Sequence, residues 1–336
     1  MAVTMEYIAR MANVSKATVS RVVNGKKDGV SDEVRQRVQR LIEEYEYTPN
    51  LMARSMVTAR TKTIGVVIPD IENPFFSQLV GFVEQHLRNW GYTAMLCNTY
   101  PSSSLEVQGI RTMLAKQVDG IILVSAQSQS KGREQGIGKY GVPCVLLDRK
   151  NPSIDYNVGI FVDNEGAFRR AAEMLLRHQN RRIAFIRGPA HFNTSQERFR
   201  GYVNALKKHG VTVDEDLIVS GNFGYQSGYD AVMTLLERKA EFTALMASND
   251  MMAFGAMRAL QERGFSIPEQ VEVMGCDDIF FCNMIHPTLS TVAQPIDEMG
   301  RLAAEVMMDL IAGNHTEKKD IWLEAHMVER DSTRKA

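Results

Sequence analysis

Residues 14–24 read VSKATVSRVVN. Ser15 stands where its hydroxyl can cap a helix beginning at Lys16, and the exposed face of that helix then carries Lys16, Thr18 and Arg21. A cation, a hydroxyl and a guanidinium on one turn-led helix are the groups that bond phosphate oxygens and base edges, so this run is built as a DNA recognition helix. The bland alternative is a small helical hairpin with solvated charges. A second set of chemistry-bearing residues falls at the ends of apolar runs. After the run at 63 come Asp70 and then Asn73-Pro74-Phe75-Phe76; after the run at 143 come Asp148 and Arg149; the run at 244 ends in Asn249-Asp250, and the run at 271 in Asp277-Asp278. Amides, carboxylates, a guanidinium and aromatic faces are what holds a sugar, whose hydroxyls donate and accept while its C–H faces stack on rings. Each Asp or Asn taken singly reads equally well as a helix cap; their recurrence at successive run ends is the signal.

The elements that must position the first set are short helices. Ile8, Ala9, Met11 and Ala12 give a first helix a small apolar face, Val14 and Val19 fill the crossing with the second, and Asn13 sits where the turn needs a left-handed residue. A third helix from about Asp32 to Tyr45 spaces Val34, Val38, Leu41 and Ile42 to close a minimal core. Charge agrees: residues 1–62 hold 11 Lys and Arg against 7 Asp and Glu, whereas the whole chain has a net charge of -1. A basic head on an acidic body suits phosphate contact at one end only.

From Thr63 the pattern becomes apolar strands alternating with amphipathic helices. Strands are expected in TIGVVIP at 63, YTAMLCN at 92, GIILVS at 120, PCVLLD at 143, RIAFIRG at 182, ALMASND at 244 and VEVMGCDD at 271, with a strand-helix-strand return at 290–326. Between them Val80, Val83, Leu87 and Trp90 share one helix face, and Tyr229, Val232, Met233 and Leu236 another. Near-continuous apolar strands imply parallel sheets covered on both faces, here as two doubly wound α/β lobes with a cleft between them. The strand ends named above open into that cleft, where ligands of such sheets bind. The start MAVTMEYIAR has no long apolar stretch, and no run of about 18 apolar residues occurs, so no membrane partner and a cytoplasmic location are expected. Cys97, Cys144, Cys276 and Cys282 lack CxxC spacing and read as buried free thiols. No metal or cofactor motif is present. GIGKYG at 136–141 matches GxGxxG without the preceding strand a dinucleotide site needs and reads as a loop, and the sequons at Asn193 and Asn314 carry no weight. The tail VERDSTRKA is short and charged.

Over essentially its whole length the chain resembles the LacI/GalR family of bacterial transcription repressors, through ATVSRVVNG, YTPNLMARSM, TKTIGVVIPDIENPFF, SQERFRGY and IHPTLSTVAQP, in the family's order. The resemblance implies a helix-turn-helix head at 1–48, a hinge helix and linker at 49–62, and a periplasmic-binding-protein-like core at 63–336, with one lobe from about 63–162 and 293–325 and the other from about 163–292 and the final strand. It implies a homodimer whose heads read a pseudo-palindromic operator through Ser15, Lys16, Ala17, Thr18, Ser20, Arg21 and Asn24. The hinge, near 50–57, would contribute Asn50, Ala53, Arg54 and, as the minor-groove wedge, Met56 in place of the usual leucine. For a small effector, a sugar or glycoside, it implies contacts from Asn73, Phe75, Arg198, Asn249, Asp277 and Gln294, with Phe223 as stacking ring. Phe192 stands where a purine-binding member carries arginine, against a nucleobase. With Phe76, Asp148 and Arg149 from the strand ends, these form the expected pocket. The function so implied is repression of a sugar-utilisation operon, relieved by the sugar. A sugar-binding transport protein is the alternative, which leaves the basic head unexplained; with no P-loop, GxSxG or HExxH, an enzyme is not expected.

Overall fold

The turn at Asn13 has φ 52, the left-handed geometry its residue type suggested. In the computed structural model, which describes residues 3–23, 25, 28–48, 60–126, 141–314 and 318–335, this turn joins α1 (Met5–Met11) to α2 (Lys16–Val23), and α3 (Asp32–Glu44) closes the head. Side-chain caps start all three: Thr4 accepts from Tyr7 N, Ser15 from Thr18 N at 3.1 Å and Ser31 from Val34 N. Ile8, Val19 and Val38 are fully buried where the helices meet. Met11 is exposed instead, because Ile8 and Ala12 already fill the face it was expected to share. Val14, Val34, Leu41 and Ile42 are half-buried around Val38. The hinge at 50–57, with Asn50, Ala53, Arg54 and Met56, lies outside the described residues, as do Asn24, the loop reading of 136–140 and His315-Thr316 of the second sequon.

Residues 62–336 form a separate unit with two six-stranded sheets. In the first sheet the strands are β1 (Thr63–Ile68), β2 (Thr93–Asn98), β3 (Gly120–Leu123), β4 (Cys144–Leu147), β5 (Val158–Val162) and β11 (Lys319–Leu323), in the order β11-β5-β4-β3-β1-β2. The second holds β6 (Ile183–Arg187), β7 (Ile218–Ser220), β8 (Ala244–Ala247), β9 (Glu272–Asp277), β10 (Ser290–Ala293) and β12 (His326–Val328), in the order β12-β10-β9-β8-β6-β7. All seven expected strands form; β5 and β7 are additions. Pairing is parallel except β10 with β12, where Thr291 faces Val328. Helices α4 (Pro74–Asn89), α5 (Ser103–Ala115) and α10 (Ile296–Ala312) serve the first lobe, and α6 (Asn164–Arg177), α7 (Asn193–Lys208), α8 (Tyr225–Glu237) and α9 (Asp250–Glu262) the second. The chain therefore passes between lobes three times, after β5, after β10 and after β11.

Packing corrects several expectations. Trp90 ends α4 as its C-cap and is 55% exposed, while Phe75, Phe76, Leu79, Val83 and Leu87 form the buried face. On α8 the buried residues are Gly228, Ala231, Val232 and Leu235, so Tyr229, Met233 and Leu236 are left half-buried. The shift follows from backbone approach: a Cβ on Gly228 would lie 1.9 Å from Met252 O of α9, and one on Gly255 2.0 Å from Tyr225 O. Cys144, Cys276 and Cys282 are buried free thiols, but Cys97, on edge strand β2, is only half-buried. Within the short charged tail, Ser332 and Thr333 are buried against Val273 and Ser290. Among the described residues no helix is long and apolar enough to cross a membrane, and no group of three His, Cys, Asp or Glu is placed to hold a metal.

Candidate functional sites in the head and the cleft

On α2, Lys16, Ala17 and Arg21 are exposed with the capping Ser15, while Thr18 and Ser20 are half-buried. The Thr18 hydroxyl lies 2.9 Å from that of Ser15, and the Arg21 guanidinium rests beside Gly29, in the loop before α3. Three of the groups expected at DNA therefore share one solvent-facing helix surface, and Thr18 is held at its edge by the cap.

In the core, one cavity between the lobes is lined by Asn73, Phe75, Phe76, Asp148, Arg149, Arg198, Phe223, Asn249, Asp277 and Gln294, together with Thr194. Every strand that contributes does so at its carboxyl end. Asn73 caps α4 through Phe75 N at 3.1 Å and so faces the cleft as a consequence of starting the helix. Phe75 and Phe76 pack edge to face, 5.0 Å apart. Asp148 and Arg149 follow β4, with Asp148 at φ 59. Asn249 caps α9 and donates to Phe223 O at 2.9 Å, which fixes Phe223 at φ 70. Glycine is required at 188 for the ring to lie there, because a Cβ would come within 2.4 Å of it.

Arg198 is 4% exposed. It donates to Asn164 Oδ1 at 2.7 Å and to Ser248 O at 2.5 Å, and its Nη2 lies 3.8 Å from Asp277 Oδ1. Gln294 donates to the same Asp277 oxygen at 2.7 Å. Phe192 does not line the cavity; it lies beneath Arg149, whose guanidinium carbon is 3.9 Å from its ring centre and 5.3 Å from that of Phe76. Of the other strand-end carboxylates, Asp70 accepts from Glu72 N at 2.9 Å, Asp278 pairs with Arg330, and Asp250 is turned into the second lobe, where Thr291, Ile279 N and Cys282 donate to it.

Burial dominates the electrostatics. It raises the Asp148 carboxyl against the pull of Arg149 and Arg198, and lowers the Arg149 guanidinium to about 10 against the pull of Asp148. Asp277 is likewise raised by burial, opposed by Arg198 and Gln294, and Asp250 by burial and the nearby charge of Asp277. Two arginines thus face two aspartates in the cavity. Asp148 Oδ1, Arg149 Nε and Gln294 Oε1 are buried without a hydrogen-bond partner, three of the five such atoms among the described residues. Each orphan of this kind costs about 1–3 kcal/mol, so their gathering at one place points to a polar ligand. The cavity itself is about 20 Å³, room for about one water.

Thr194 is the one lining residue that sequence reasoning passed over. It lies one helical turn before Arg198 on α7, so the i, i+4 spacing was the available signal.

Residues 4–50 match the family model described as bacterial regulatory proteins, lacI family, and residues 61–330 match that described as periplasmic binding proteins and sugar binding domain of LacI family. The ribose operon repressor of Haemophilus influenzae is 33% identical, covering 98% of each chain. The structure titled transcriptional regulator CelR-cellobiose complex is similar with TM-score 0.72 and 32% identity, over 98% of this chain and 99% of that one. The lac repressor dimer bound to operator and the anti-inducer ONPF superposes with TM-score 0.88 and 25% identity, over 99% of both. A turn-led basic helix in the head and a two-lobed core closed on a polar cavity, matched by both family models in order, make this chain a member of the LacI family of bacterial regulatory proteins.

Proposed function

We propose that the protein is a homodimeric transcriptional repressor that binds operator DNA through α2 and is released by a small neutral sugar held in the cleft. The observation that carries the effector half is the set of orphaned polar atoms on Asp148, Arg149 and Gln294 in a cavity that Phe75, Phe76 and Phe223 also line. Two arginines balanced by two aspartates suit a neutral polyol, because an anion or a cation would leave one buried charge uncompensated. Monosaccharides and disaccharides both meet that charge balance. Relatives supply both examples, one named for a ribose operon and one bound to cellobiose.

The sugar exceeds the cavity, so it binds only when the lobes part, and it shifts the head's DNA affinity only through a preference between lobe arrangements. Calorimetric titration of D-ribose, D-glucose and cellobiose into the protein, with and without a palindromic operator duplex, tests the whole proposal. One sugar should bind, and operator should weaken it by roughly 5–150-fold. Equal affinities in both titrations would refute regulation by the cleft.

In the head, Arg21→Ala should cost roughly 1–3 kcal/mol on the cognate site and relax base preference there, with little effect on random DNA. Gel shifts against both duplexes at two salt concentrations check this; equal weakening would assign Arg21 to a phosphate instead.

Asp277 gives a pH signature. Its carboxyl is raised by burial, and a sugar hydroxyl donating to it favours the ionised form. Sugar affinity should therefore rise with pH through a window above the ordinary aspartate value of about 3.9. Titrations at pH 5.5, 6.5 and 7.5 should show tighter binding at each step, and a flat profile would exclude Asp277 as an acceptor.

A further inference from the structure

Asp277 and Asp278 occupy two successive positive-φ positions, 119 and 57. Non-glycine residues adopt such conformations where their surroundings hold them. Two holds are visible just beyond Asp277. Ile279 N donates to the buried Asp250 at 3.0 Å, and Asp278 Oδ1 accepts from Arg330 Nη2 at 2.7 Å. Arg330 comes from the C-terminal segment, far from the cleft in sequence. Its backbone N donates to Ser290 Oγ at 2.7 Å and its Nη1 to Leu289 O at 2.8 Å, which aims the guanidinium. The pair is largely withdrawn from water, with side-chain exposures of 13% and 27%, so it is screened far less than a surface bridge.

We infer that Arg330 is a positioning residue for the effector site: by clamping Asp278 it fixes the strained turn that aims the Asp277 carboxylate at Arg198, Gln294 and the ligand. The same tail is fastened a second time at the opposite end of β9, where Arg334 donates to Glu272 at 2.8 and 2.5 Å. That second fastening lies away from Asp278, so it separates loss of the tail from loss of the clamp. The inference rests on the proposed sugar site.

The test uses the full-length chain with D-ribose as probe, in Arg330→Gln, Arg330→Lys, Arg334→Gln and Asp277→Asn. Arg330→Gln should weaken D-ribose about tenfold while leaving operator affinity unchanged; Arg330→Lys should recover most of the loss, and Arg334→Gln should leave D-ribose affinity unchanged. Asp277→Asn reports on the site itself: if it binds D-ribose normally, the site reading fails, whereas a weak Asp277→Asn with a normal Arg330→Gln overturns the clamp alone. Hydrogen exchange of the amides at 275–282, read without ligand, should accelerate in Arg330→Gln and not in Arg334→Gln, which decides the matter whichever sugar the cleft takes. Equal exchange in the two variants would overturn the inference. Should Arg330→Gln fail to fold, Asp278→Asn weakens the same pair and leaves the Leu289 and Ser290 contacts in place.

Discussion

Arg198→Leu is expected to bind operator DNA as tightly as the parent chain and to ignore the sugar. Arg198 lies in the second lobe with its guanidinium spent on Asn164, Ser248 and Asp277, and no part of it belongs to the head. Removing a charged hydrogen-bond partner from the ligand costs about 1.5–3 kcal/mol, which converts at about 1.4 kcal/mol per decade to a loss of roughly 10–150-fold in sugar affinity. Asp277 is left buried without its cation and takes up a proton instead, which moderates the loss of fold. The measurement is operator affinity with and without sugar, alongside the melting temperature. Sugar-dependent release in a folded Arg198→Leu variant would remove Arg198 from the effector site.

Gly228→Ala and Gly81→Ala are expected to move stability in opposite directions. Both glycines lie inside helices, where propensity alone makes alanine better by about 1 kcal/mol. At Gly81 a Cβ meets nothing within 4 Å, so that gain should appear. At Gly228 the new carbon would fall 1.9 Å from a carbonyl oxygen of α9, and α9 cannot yield without also drawing its Gly255 away from Tyr225 of α8. Forcing the two helices apart should cost on the order of 3 kcal/mol, and thus roughly 6–12 °C in melting temperature for a domain of this size. Thermal unfolding of both variants checks the sign; a stabilised Gly228→Ala would mean that the two helices are loosely packed.

These glycines also mark where reading the sequence stops. Asn13 and Ser15 were legible because a turn and a cap are settled by neighbours a few residues away. The strand-end residues Asp148, Asn249 and Asp277 were legible because the carboxyl ends of parallel strands share one side of a sheet. The family resemblance puts Phe192 in the pocket, yet it supports Arg149 from beneath, since that contact depends on where α7 lies against the first lobe. Trp90 satisfied the helical period of α4 and still faces solvent, because the period does not say where the helix ends. Nothing within the short charged tail signals that Ser332 and Thr333 are buried, because their partners on β9 and β10 lie more than 40 residues earlier.

The three passages of the chain between lobes bear on how the protein is made. A nascent chain completes the head once residues through Tyr47 have emerged, since the head's core is drawn from that stretch alone. Neither lobe has that freedom: β11 edges the first sheet and β12 the second, and both follow the other ten strands in the chain. Translation must run to residues 319–328 before either sheet has all its strands, so the two lobes mature almost together, after the DNA-reading part has already folded. A ribosome that stops short of β11 releases a finished head on an unfinished core, a product that retains the recognition helix and lacks the means to answer a sugar.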